Sequence, residues 1–204
     1  MTTTLFLALC LFAFVASITP GPNNLMLLAS GMNFGFRASI PHLSGVCVGF
    51  FVMMVAIGTG FGVVVTQVPV VYAVIKWLGG AYLLYLAWRI ASTPVGRDNA
   101  DNRRPAKPLG FLGAAMFQWV NPKGWAMTVS AFATYVPAAP GTWTVLGVSS
   151  LVFVITLPCI SAWTLFGARL RHWLDEPRRA RLFNRSMAAL LLVSLLPMLR
   201  PASV

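Results

Sequence analysis

In a chain of 204 residues, 58% of them hydrophobic and only 9% charged, there are too few charges to cover a soluble domain, where roughly 25% is usual. The formal net charge of +11 does not mark a nucleic-acid partner, because the bases lie in short stretches between apolar segments rather than on one face of a soluble fold. A β-barrel is excluded too, since the apolar runs are continuous and far longer than barrel strands of about 10 alternating residues.

No Asp, Glu, Lys or Arg occurs in residues 1–36, 38–75 or 124–168. A membrane-crossing helix needs about 20 apolar residues. Six such spans fit the chain, at roughly 4–28, 40–66, 70–91, 109–136, 142–168 and 181–199. The expected fold is all-α, a polytopic membrane protein whose six transmembrane helices form two inverted three-helix repeats.

The first span is apolar from Leu5 onward, has no Lys or Arg before it, and resumes its apolar character at Leu25. It therefore reads as an uncleaved span and not as a signal peptide. Its interior carries Pro20, Gly21, Pro22, Asn23 and Asn24. Each proline removes a backbone donor and clashes with the preceding turn. In hydrocarbon such a break survives only inside protein or beside a wet cavity. A half-helix beginning near Asn23 would aim N–H groups at an anion such as a carboxylate. The structural alternative is a proline kink with the asparagines capping the new helix.

The second span holds His42, either a proton shuttle or, as the position near Arg37 favours, a residue at the cytoplasmic edge. Gly45 and Gly49 share one helix face, a small-residue packing pattern. Gly58, Gly60 and Gly62 also read as packing, since no strand precedes them as a dinucleotide loop requires. Cys10, Cys47 and Cys159 are isolated in apolar segments, so neither a disulfide framework nor a metal site is expected.

The third span ends at Arg89. The polar segment 93–108 follows, and it serves as a cytoplasmic linker between repeats 1–92 and 109–204. Three spans per repeat is odd, so the repeats insert with opposite topology, a plan common in secondary transporters that rock around a central site. The fourth span echoes the first. It contains Gln118, Asn121, Pro122 and Lys123, flanked by Trp119 and Trp125. Lys123 lies about 14 residues into that span, ~21 Å at the helical rise per residue. A charge at such depth is expensive. It calls for a partner rather than a snorkelling route to an interface, yet no span supplies a carboxylate. In the fifth span, Pro158 is expected to bend the helix.

Arginine and lysine gather at Arg37, in 97–107 and in 169–185, while the alternate loops hold almost none. The bias places those three loops in the cytoplasm and both termini in the periplasm, as a multi-pass protein of the inner membrane. No phosphate-cradling loop, paired carboxylates, nucleophile elbow or His/Cys cluster is present. The chain is therefore expected to be no enzyme and to need no cofactor or metal.

The segments Thr19–Asn24, Leu28–Gly31, Gly35–Arg37, Gly45 with Gly49–Phe50, Lys76–Ala87 and Gln118–Lys123, in that order and spacing, resemble the lysine exporter family. That family includes homoserine/threonine and cysteine/O-acetylserine exporter branches. The resemblance covers nearly the whole chain. It implies export of small amino acids or close derivatives, driven by an ion gradient as proton antiport. It also implies a binding site around Pro20–Asn24 and Asn121–Lys123. Many relatives carry Asp where this chain has Asn23. Here Asp98, Asp101, Asp175 and Glu176 all lie in expected loops, so a carboxylate proton carrier within the membrane is missing. The Asn-Asn pair looks closest to the cysteine/O-acetylserine branch and favours a small neutral substrate. The expected partners are that substrate and the lipid bilayer, with no nucleic acid, and the glycine faces permit a homodimer. A membrane subunit without transport of its own is the rival reading.

Overall fold

The computed structural model describes residues 2–61, 69–93, 107–137, 140–171 and 176–196. Most of the expected linker 93–108 lies outside the described residues, as do Asp98, Asp101 and Asp175 and the side chain of Lys76. Among the described residues every regular element is helical, as a lipid environment demands of any spanning segment that is not a closed barrel.

Helix α1 (Thr3–Ile18) is capped by Thr2, whose hydroxyl accepts the Leu5 N–H at 3.3 Å. Helix α2 (Pro22–Phe34) follows at a bend of 52°. Pro22 opens it at the first position, where the absent N–H costs nothing. Gly35, at φ +83°, turns the chain directly into α3 (Phe36–Ala56). A residue with a Cβ would be strained at that φ. A widened turn, Ile57–Phe61, prolongs α3 and contains Gly60 at φ +113°. Then come α4 (Pro69–Ala91), α5 (Phe111–Phe117), a single 3₁₀ turn at Gln118–Val120, α6 (Pro122–Tyr135), α7 (Thr142–Leu170) and α8 (Pro177–Val193).

By length and composition, Phe36–Phe61 and Thr142–Leu170 each suffice to cross a membrane, and the bent pair α1–α2 passes the same test only when its two helices are taken together, as a broken span or a re-entrant loop. The chain is thus a membrane protein of apolar helices. Three details depart from expectation. The first span continues to Phe34 and not to 28, because Ser30 and Asn33 find buried partners: the Ser30 and Ser39 hydroxyls are 2.7 Å apart, and Asn33 pairs with Asn184 at 2.9 and 3.1 Å. The fourth stretch is two short helices rather than one. The last helix begins at Pro177, inside the arginine-rich stretch.

Apolar side chains cover the outside of the molecule as well as filling its core. Leu7, Trp77, Leu112, Trp143 and Val154 lie outward, each more than half exposed, while Asn24, His42, Gln118, Asn121, Thr128 and Asn184 are buried. That arrangement suits a solvent as apolar as the core itself. His42 is only 2% exposed. It is enclosed by neighbouring helices, on the side of the molecule where Arg89 and Lys107 line the same cavity. Seven residues after Gly35 the helix carries this ring on its inner face, while Ile40 and Pro41 beside it are exposed.

Glycines set the tightest packing. A Cβ on Gly31 would collide with the backbone of Thr164 and Ala168, and one on Gly167 with the backbone of Leu28 and Met32. Helices α2 and α7 thus touch main chain to main chain. The Gly45–Gly49 face meets α5 in the same way, at the Phe111 carbonyl and at Ala115 Cα, the latter 2.5 Å from where a Gly49 Cβ would stand. Gly58 accommodates the Phe132 ring. Pro158 lies within an uninterrupted helix.

Candidate functional site

Breaking a helix leaves its last carbonyls without partners. After α1, four consecutive carbonyls, Ser17 to Pro20, all receive donors from elsewhere. The Asn24 amide donates to Ser17 at 2.9 Å and to Thr19 at 2.8 Å. The Trp163 indole N–H on α7 donates to Ile18 at 3.0 Å. Lys123 Nζ donates to Thr19 at 2.5 Å and to Pro20 at 3.3 Å. The partner that no carboxylate supplies to Lys123 is therefore the negative end of a broken helix, where a cation is favoured.

The second break closes on itself. Asn121 caps α6, its side-chain oxygen accepting the Lys123 N–H at 3.2 Å, and Pro122 occupies the first helical position. The Trp125 indole donates to the Trp119 carbonyl at 2.9 Å. Gln118 is completely buried and donates to the Ala114 carbonyl at 2.9 Å.

The two breaks meet. Asn23 donates to Gln118 at 2.8 Å, and Gln118 returns a donor to Asn23 at 3.2 Å. Lys123 spans the remaining gap, its stem lying over Gly21. A Cβ on Gly21 would stand 2.5 Å from Lys123 Cδ, so a larger residue there would push the lysine stem from its present path to the carbonyls. Every residue expected at the site, namely Pro20, Gly21, Pro22, Asn23, Asn24, Gln118, Asn121, Pro122 and Lys123, thus belongs to one junction. Their tasks differ. The Asn24 amide is committed to α1, and the two carboxamides of Asn23 and Gln118 to each other. Lys123 is half-buried beside exposed Thr19 and Pro20.

A cavity of about 40 Å³ lies at this junction, walled in part by Ser17, Gly21, Asn23, Asn24, Lys123 and Thr156. Small-molecule pockets usually hold 300 Å³ or more, so the junction is closed around room for water only. Sequence reasoning missed Ser17, Thr156 and Trp163. The Ser17 and Thr156 hydroxyls pair at 2.8 Å across α1 and α7. Their signal was faint: lone hydroxyls and an indole in apolar spans, without a motif.

The family model for LysE type translocators matches residues 14–196. A cysteine/O-acetylserine efflux protein of Salmonella choleraesuis (strain SC-B67) is 37% identical over 169 residues, which cover 82% of this chain and 84% of that protein. The protein of the same description from Escherichia coli (strain K12) is 36% identical over the same shares. No solved structure matches.

Proposed function

The chain belongs to the LysE type translocator family, and from that premise we propose that it is a secondary transporter exporting small neutral amino acids or close derivatives, in the manner of cysteine or O-acetylserine, across the inner membrane. The observation that carries this reading is Lys123 Nζ resting on the Thr19 and Pro20 carbonyls at the junction of the two breaks.

An α-amino acid carries an ammonium to match that of Lys123 and a carboxylate to replace the carbonyls as the acceptor for Lys123. Its ammonium replaces the Lys123 ammonium on the carbonyls at the end of α1. Its carboxylate pairs with the released Lys123, within reach of the N–H groups that open α2. Solute binding and separation of the two breaks are then one event, because the solute takes over both halves of a contact that closes the junction. In this reading the fold is six spans in two inverted repeats, residues 1–92 and 109–204 joined by the cytoplasmic linker 93–108. Both termini lie in the periplasm, and a homodimer is permitted. Coupling is proton antiport. No carboxylate is among the residues lining the junction cavity, and Lys123 is the ionisable group among them.

The test is efflux from proteoliposomes loaded with single amino acids, for the natural chain, Lys123→Met and Asn23→Ala. Export by the natural chain and its loss in Lys123→Met, with folding verified, is the expected result. A folded natural chain that exports no amino acid removes the transporter reading. Full export by both variants removes the assignment of these residues and leaves the rival, a membrane subunit without transport, to be tested by assembly.

A further inference from the structure

A second cavity, of about 290 Å³, lies between α2, α3, α4 and the residues leading into α5. It shares no lining residue with the junction cavity, but α2 reaches both, its first turn at the junction and its last turns here. Its polar wall is formed by Ser30, Asn33, His42, Tyr85, Arg89 and Lys107. The volume approaches the lower end of ordinary small-molecule pockets, ~300 Å³.

Three features of this wall point to one kind of ligand. Its charges are the cations Arg89 and Lys107, and no carboxylate is among the lining residues. Ser30 and Asn33 are already engaged with Ser39 and Asn184, so the floor is fixed in place. His42 is 98% buried, and neither ring nitrogen has a partner among the described residues. Buried polar atoms in native proteins are nearly always paired, and an orphan calls for a missing ligand or water. Among the described residues Arg89 is held at one edge: Nη2 donates to the Lys107 carbonyl at 2.6 Å and the Pro108 carbonyl at 3.4 Å. A guanidinium fork offers five N–H donors and matches a carboxylate with two at once.

We propose that this cavity is a second solute site, a vestibule that takes the carboxylate of a small amino acid between Arg89 and His42. Its place on an export route rests on the transporter reading above, but the binding itself does not. The imidazole donates one N–H to the carboxylate, the free edge of Arg89 supplies the charge, and α2 leads from this site to the junction.

The test separates the two sites. In purified Lys123→Met protein, which lacks the junction ammonium, binding of radiolabelled O-acetyl-L-serine should persist. Adding Arg89→Gln or His42→Leu should weaken it about tenfold or more, as loss of a charge-assisted contact implies. The carboxamide analogue of the same solute should not compete. In the natural chain, O-acetyl-L-serine should protect Arg89 from phenylglyoxal, read by mass spectrometry of its peptide, and the carboxamide should not. This measurement needs no variant to fold. Equal binding with and without Arg89, competition by the carboxamide, or protection independent of solute, as a carboxylate of Asp98 or Asp101 would give, overturns the proposal. Arg89-dependent binding in a chain that exports nothing keeps the vestibule and discards the transporter.

Discussion

The two helix breaks solve one problem in opposite ways. The break at residues 19–24 leaves four carbonyls that its own segment only partly satisfies, and it borrows Trp163 from α7 and Lys123 from α6. The break at 118–122 needs nothing from the other side for its backbone: Asn121 caps α6, while Gln118 and Trp125 serve carbonyls of the same stretch. The lesson is an asymmetry of dependence. The second break is a self-contained donor, and the first is an acceptor completed only when α6 and α7 are docked. An acceptor of that sort can release its guest donors and take others, whereas a self-capped turn has nothing to exchange.

Substitutions at four positions test that contrast, in falling order of effect. Lys123→Met should cut export by about a hundredfold, because the half-buried ammonium makes two charge-assisted bonds that close the site, together worth ~3 kcal/mol, while Lys123→Arg retains part of it. Undiminished export by Lys123→Met shows that the acceptor break needs no guest cation. Asn24→Leu keeps the branched shape but strips the Ser17 carbonyl of its donor, and should destabilise the fold by ~2 kcal/mol, seen as a lower melting temperature in detergent. Trp163→Phe removes the Ile18 donor alone and should cost about 1–2 kcal/mol by the same measurement. Asn121→Ala removes a helix cap whose loss typically costs ~1 kcal/mol. Its effect should stay on α6 and leave solute binding nearly unchanged. A larger loss in Asn121→Ala than in Asn24→Leu reverses the proposed order of dependence.

Much of this junction was legible in the residues because prolines and amides are conspicuous in apolar runs. Pro20–Asn24 and Asn121–Lys123 announced both breaks, and Gly45 and Gly49 announced a close helix crossing that α5 fills. The partner of Lys123 was not legible. It is main-chain carbonyl, and a carbonyl has no letter in the sequence. For the same reason Asn24 looked like a solute ligand although its amide caps α1. The length of α2 was misjudged because Ser30 and Asn33 resemble a loop until Ser39 and Asn184 are brought beside them, and no local pattern foretells a pairing 151 residues away. His42 was read from its nearness to Arg37 in sequence, and its part in the wall of a cavity was not legible there because Arg89 and Lys107 are brought beside it only by helix packing.

The glycine crossings have a consequence for how the chain comes apart. Gly31 joins α2 to α7, and Gly45 and Gly49 join α3 to α5, so each crossing ties a helix before residue 93 to one after residue 108. The sequence halves are interleaved rather than stacked. Severing the connector would leave two fragments, each baring grooved glycine backbone to lipid, and neither would be a finished body until threaded through its counterpart during insertion.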